Sequence, residues 1–271
     1  MVTAISVRRA RTAAAAAATA AMLLVVSTGC GSGTGDTGEA EGGSPGGSRP
    51  AGSTSSERGA RAAELIGEAL DATFAHRYLQ SERRTKTEGT TVLRSAVHEG
   101  RAECEARSRK GDASLEFVVT ASALYSRGSK EALELSPEAR TDPARVAVMA
   151  DRWVQRNAAA AEAMREMCTA TAQRTWLEER IPSLDALAGQ TPVQEPAELE
   201  GQSTTRITYR RQDGPLRFHI AAQGTPLLLR VTYPATDLDE SFGAFGKPFR
   251  VAAPTGAVSE LRIAQEVLAA R

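Results

Sequence analysis

Three cysteines and three histidines are the side chains in this 271-residue sequence best suited to nucleophilic, acid–base or metal chemistry. Catalysis needs a nucleophile, a base and a group that orients the base, or metal ligands at usable spacing. His76, His98 and His219 are scattered along the chain, and none stands at ligand spacing from Cys104 or Cys168. No H-E-x-x-H or phosphate-cradling glycine loop occurs, the G-x-S-x-G match at Gly42 to Gly46 lies in a Gly/Ser-rich stretch with no strand before it, and G-Q-S-T-T at Gly201 lacks the second glycine of a nucleophile elbow. The sequence thus predicts no enzyme, no metal and no cofactor. The remaining chemistry is that of thiols, at Cys30, Cys104 and Cys168.

Cys30 closes a segment with its own logic. Arg8, Arg9 and Arg11 give a positive start, Thr12 to Val26 is apolar or small and uncharged, and S-T-G-C follows at Ser27 to Cys30. A basic start, a short apolar core and a small-residue exit read as a secretory signal, too short to span a bilayer comfortably. With the cysteine directly after Gly29, the segment resembles the lipobox of bacterial lipoproteins, although Ser27 stands where that motif usually has Leu or Val. The resemblance implies removal of residues 1–29 and a diacylglyceryl group on the Cys30 thiol. The chain would then be lipid-anchored on the outer, extracytoplasmic face of the cell membrane, two acyl chains sufficing where one is marginal. In residues 31–56, 20 of 26 are Gly, Ser, Thr or Pro. Such a stretch buries too little apolar surface to offset chain entropy, so residues 30–56 read as a lipidated cysteine on a flexible linker reaching about 25–30 Å.

The rest, residues 57–271, reads as one domain. The chain has 33 Lys+Arg against 33 Asp+Glu, which argues against a nucleic-acid partner, since phosphate binding normally draws on a basic excess. With Cys30 acylated, two cysteines remain in an oxidising setting, either bridged as a Cys104–Cys168 disulfide or buried as separate thiols.

Apolar periodicity predicts the elements that hold these groups. Residues 57–80 have a helical period, with Ala62, Leu65, Ile66, Ala69, Leu70, Phe74 and Tyr78 on one side and Ser55 or Ser56 as cap. From Thr90 the period is two: Ala102, Cys104 and Ala106 alternate with charges, Arg109 to Asp112 turns, and Leu115, Phe117, Val119, Ala121 and Ala123 form a second stripe continuing to Arg127. Residues 129–189 read as helices, with Asp142-Pro143 and Asn157 as starts and an extended break at Arg152 to Gln155. Strands follow at about 204–211, 215–222 and 227–233, joined at Gln212-Asp213-Gly214 and Gly224-Thr225-Pro226. Their stripes are Ile207 and Tyr209, then Leu216, Phe218 and Ile220, then Leu227, Leu229, Val231 and Tyr233. Two short strands flank Gly243 to Gly246, and a helix over 257–269 closes the chain. The expected class is α+β, an antiparallel sheet curling around a helical insert.

The runs A-L-Y-S-R-G-S (Ala123 to Ser129), D-R-W-V (Asp151 to Val154), E-M-C (Glu166 to Cys168), G-T-P-L-L-L-R-V (Gly224 to Val231) and F-G-A-F-G-K-P-F-R-V-A-A-P (Phe242 to Pro254) resemble actinobacterial envelope lipoproteins of the LppX/LprG type. The resemblance implies the curved half-barrel of the LolA/LolB superfamily, with an apolar cavity for acyl chains between sheet and helices. Phe117, Val119, Ile207, Tyr209, Phe218, Ile220, Leu229 and Val231 would line it, unless the same side chains fill a solid core. Two functions are expected from this reading. One is a lipoprotein that holds or carries a lipid or other amphiphile. The other is a non-catalytic sensor or assembly lipoprotein that binds an envelope protein through its half-barrel.

Overall fold

A computed structural model describes residues 54–135 and 142–270. The expected signal peptide at 1–29, the acylation at Cys30 and the linker up to residue 53 lie outside the described residues. In chain order the elements are α1 (Ser55–Phe74), β1 (Tyr78–Thr85), β2 (Gly89–His98), β3 (Arg101–Lys110), β4 (Ala113–Val119), β5 (Leu124–Gly128), α2 (Lys130–Glu134), α3 (Pro143–Met149), β6 (Val154–Gln155), α4 (Ala158–Met167), α5 (Ala170–Glu178), α6 (Leu184–Ala188), β7 (Val193–Leu199), β8 (Gln202–Tyr209), β9 (Leu216–Ala221), β10 (Leu228–Tyr233), β11 (Leu238–Gly243), β12 (Val258–Ser259) and α7 (Glu260–Ala269). Among the described residues the strands form one open sheet in the order β12-β6-β5-β4-β3-β2-β1-β11-β10-β9-β8-β7. Every pairing is antiparallel except the short β12–β6 contact. The α+β class and the antiparallel sheet match the expectation from periodicity.

Local chemistry sets the boundaries. The cap of α1 is Thr54, not a serine: its Oγ1 accepts from the Glu57 N–H at 3.2 Å and its own N–H donates to Glu57 Oε2 at 2.8 Å, a reciprocal capping box. Helix α1 stops at Phe74, so Tyr78 to Gln80 belong to a strand, contrary to the helical reading. At this junction helical spacing and alternation make the same residues apolar, and pairing with β2 and β11 decides between them. The stripe from Leu115 to Arg127 is also broken. Thr120 bonds Ala123 through backbone and side chain, which reverses the chain so that β4 and β5 pair with each other. Asp142 and Asn157 cap α3 and α4 as their positions suggest.

One face of the sheet, the inner face, carries the helices. On it Ile66, Ala69 and Leu70 of α1, Leu177 of α5 and Leu187 of α6 pack into a single buried cluster with Leu79 of β1, strands β8–β10 and Leu238 and Phe242 of β11. A second cluster joins Ala102, Cys104, Val119 and Leu124 to Ala161 and Cys168. A third packs α3 and α7 around Val154 near the β12 edge.

The run after β11, expected to contain a second short strand, instead crosses the outer face without forming one. Gly246 N–H donates to the Tyr78 carbonyl at 3.0 Å, Phe249 packs edge-on to Tyr78, and the Arg94 guanidinium lies 4.2 Å from the Phe249 ring centroid. This strap delivers the chain to β12 and α7. There Arg152 and Arg262 both bond Glu266 and hold its carboxyl down to about 2. At the opposite edge, the outermost strand β7 carries Glu195, Pro196 and Glu198.

Two measurements check this account. A Cβ on Gly59 would collide with the carbonyl oxygens of Ala188 and Gln190, because α1 passes directly over the end of α6. Gly59→Ala, which in an open helix adds about 1 kcal/mol of stability, is therefore expected to lower the melting temperature by several degrees in a thermal scan. The Glu266 carboxyl is depressed from an ordinary 4.5, so its contribution is present above pH 4.5 and is lost as pH falls toward 2. Glu266→Gln should flatten the loss of stability over that window in acid titrations followed by circular dichroism, and an unchanged slope would refute the link.

Candidate functional site

The registers place the inner-face side chains of β1–β5 in rows. Leu79, Ser95, Cys104, Val119 and Leu124 lie side by side across the strands. Next come Ser81, Leu93, Ala106, Phe117 and Ser126, and then Arg83, Thr91, Ser108, Leu115 and Gly128. The first row is sealed. Cys104 is bonded to Cys168, at the C-terminal cap of α4, with 5.6 Å between the α-carbons. This bridge ties the helical layer to the middle of the sheet across 64 residues, worth about 4 kcal/mol on a chain-entropy argument. The second row is covered only in part: Leu93 and Phe117 pack against the disulfide cluster together with Met164 of α4, yet all three keep some surface in water, as does Ala106. Below them α2 seats Leu133 over Gly128, where an added Cβ would crowd the Leu133 and Leu115 side chains.

The eight residues expected to line a cavity do not come together. Ile207, Tyr209, Phe218, Ile220 and Val231 are at most 1 % exposed and packed under α1, α5 and α6. Phe117 and Val119 belong to the disulfide cluster. Leu229 is displaced by a bulge: Leu228 pairs with Ile220 and Arg230 with His219, so Leu229 is the extra residue and Leu228 takes the place in the buried cluster. A simple alternation from Leu227 to Tyr233 could not reveal this slip.

Between the two clusters runs a polar seam that periodicity missed. Gln173 Nε2 donates to Ser95 Oγ at 3.1 Å and to the Cys168 carbonyl at 3.2 Å, and Ser95 Oγ donates to the Leu79 carbonyl. Beside it Arg83 donates to the buried Glu240 carboxylate at 3.2 Å. Burial pushes the Glu240 carboxyl up and the Arg83 guanidinium down, the attraction between them offsetting only part of the desolvation. The Trp176 ring of α5 has the Arg83 guanidinium carbon 3.0 Å and the Arg180 carbon 3.8 Å from its centroid. Two guanidiniums this close to one centroid cannot share a face, so they sandwich the indole. Glu240 stood in plain view in the sequence, at an alternate position between Leu238 and Phe242.

The three histidines engage different partners, with His76 and His98 on adjoining chain segments where the Val97 N–H donates to the Arg77 carbonyl. His76 stacks obliquely on Phe245, and His98 Nε2 lies 3.2 Å from the Phe249 carbonyl under the strap. His219 faces Thr204 on the outer side, its imidazole pushed down by burial and by Arg206, Arg230 and Arg217. Open, partly polar depressions flank the β2–β3 turn. One of about 410 Å³ is lined by Arg101, Glu162, Arg165 and Glu166, and another of about 640 Å³ by His98, Glu103 and Arg250. Neither lies between the sheet and α1. No family model matches the sequence, and no curated protein matches it.

Tyr209 illustrates the cost of the closed half. Its hydroxyl is buried without a hydrogen-bond partner, and burial pushes its ionisation up to about 12. Tyr209→Phe is expected to raise unfolding free energy by about 1 kcal/mol in urea denaturation, since it deletes only an unsatisfied polar group. A clear loss of stability would place a ligand or ordered water on that oxygen.

Proposed function

We propose that this chain is a membrane-anchored extracytoplasmic lipoprotein of the LppX/LprG type, with a LolA-like half-barrel that binds the hydrocarbon of a lipid or other amphiphile. The single observation that supports this reading is the half-covered apolar strip on the inner face, Leu93, Ala106 and Phe117 with Met164 beside them. The inner face of β8–β10 is closed by packing, so the acyl chain is assigned to β2–β5 and not to β8–β10. Burying about a dozen methylenes there would contribute about 10 kcal/mol before the costs of association. The anchor at Cys30 rests on the sequence alone and fits a protein that collects or releases lipid at a membrane surface.

A second reading, a partner-binding lipoprotein without catalytic activity, draws on Leu261 and Leu268. They stand seven residues apart on α7 and are 69 % and 70 % exposed.

Lipid extraction and mass spectrometry of the purified full chain test the first reading. Lipid should co-purify with the native chain and fall several-fold in Leu93→Asn, while Gln80→Ala on the outer face leaves recovery unchanged. Absence of lipid across repeated preparations would overturn it. A single stoichiometric protein partner in place of lipid would favour the second.

A further inference from the structure

The row next to the apolar strip is built for a different kind of atom. Arg83, Thr91 and Ser108 are neighbours across β1, β2 and β3, one step along the strands from Ser81, Leu93 and Ala106. The Thr91 and Ser108 hydroxyls lie 2.8 Å apart, and one hydrogen bond between them leaves a hydroxyl proton free to donate outward. Beside Thr91, Arg83 meets Arg180 at Trp176, the two guanidiniums clamped on the two faces of the indole. The carboxylates that face them are Glu240, buried and bonded to Arg83; Glu179, 3.9 Å from Arg180 and mostly exposed; and Glu88, which acts on Arg83 at longer range. Only Glu240 is held in the interior. Arg83 keeps its Nε–H without a partner, and Arg180 spends one N–H on the Trp176 carbonyl with about a third of its side chain in water.

We infer that the amphiphile held on the Leu93–Phe117 strip carries an anionic headgroup, which the Arg83–Trp176–Arg180 clamp and the Thr91–Ser108 hydroxyls receive. This inference rests on the amphiphile reading above and adds to it the class of ligand. A phosphate or carboxylate oxygen matches the guanidinium fork and the hydroxyl donor together, whereas an uncharged ester or alcohol competes poorly with the exposed Glu179 carboxylate, 3.9 Å from Arg180, for that cation. The indole holds both guanidiniums in fixed planes, so less side-chain freedom is lost when the anion arrives. The polar row also fixes the direction of the ligand: hydrocarbon toward the disulfide, headgroup toward the end of the sheet where α5 runs out.

The test compares two probes that share glycerol and one oleoyl chain and differ in a phosphate, oleoyl-lysophosphatidic acid and monoolein. Each is added to the full chain below its micelle-forming concentration, and binding is read by mass spectrometry of the retained lipid. The native chain is expected to bind the phosphate-bearing probe about tenfold more tightly, the worth of one charge-assisted contact. Arg180→Gln should bring the two affinities within about twofold. Because Arg180 also packs on Trp176, Ser108→Ala serves as a second variant, with a smaller loss of the same preference, and thermal scans verify that both are folded. Equal binding of the two probes by the native chain, or a preference that survives both substitutions, would overturn the headgroup assignment and leave the amphiphile reading standing. Failure of both probes to bind would remove the amphiphile reading itself, and the assignment with it.

Discussion

Twelve strands at their usual spacing make a face about 50 Å wide, while a helix covers a band of about 10 Å. Covering such a face needs several helices packed side by side, and among the described residues only α1 is long. Helix α1, 20 residues long, goes to β9 and β10, and α5 and α6 complete that half. The other half receives the ten residues of α4 and the five of α2 over β2–β5, with α3 and α7 packed around Val154 at the β12 edge. The shortage of helix is met by covalent means where packing is thin, at Cys104–Cys168, and it leaves Leu93, Phe117 and Met164 partly in water. The difference between a closed half and an open half is thus a matter of how much helix there is to spread.

The seam of Ser81, Ser95, Gln173, Arg83 and Glu240 makes the two halves separate bodies of apolar contact. An ion pair of this kind adds little net stability compared with a hydrophobic pair of similar size, since desolvation consumes most of the attraction. It does make other registers costly. Sliding β1 by one residue against β11 would turn Arg83 to the outer face and leave Glu240 alone in the interior.

Much of the frame could be read from residue order. The helical period from Ala62 to Phe74, the alternation through Cys104 and Phe117, the glycine turns between β8, β9 and β10 and the caps Asp142 and Asn157 all carry local signals that the fold keeps. Three kinds of feature could not be read. Tyr78 to Gln80 suit helix and strand alike, and long-range pairing decides. The Thr120–Ala123 reversal and the Leu229 bulge contain neither glycine nor proline, so nothing marks them. The candidate site was legible only in its apolar part, through Phe117. Its polar part sets Arg83, Thr91 and Ser108 side by side through the register of β1, β2 and β3, while Trp176 of α5 and Arg180 just beyond it meet Arg83 by packing.

The two rims of the sheet have an implication for crowding. A bare strand edge is a template on which a neighbouring molecule can lay its own backbone. Here one rim, β7, sets a proline without an amide hydrogen between glutamates that repel a second copy of themselves, and the other, β12, ends after two residues. Many copies can therefore be brought close together without polymerising strand upon strand.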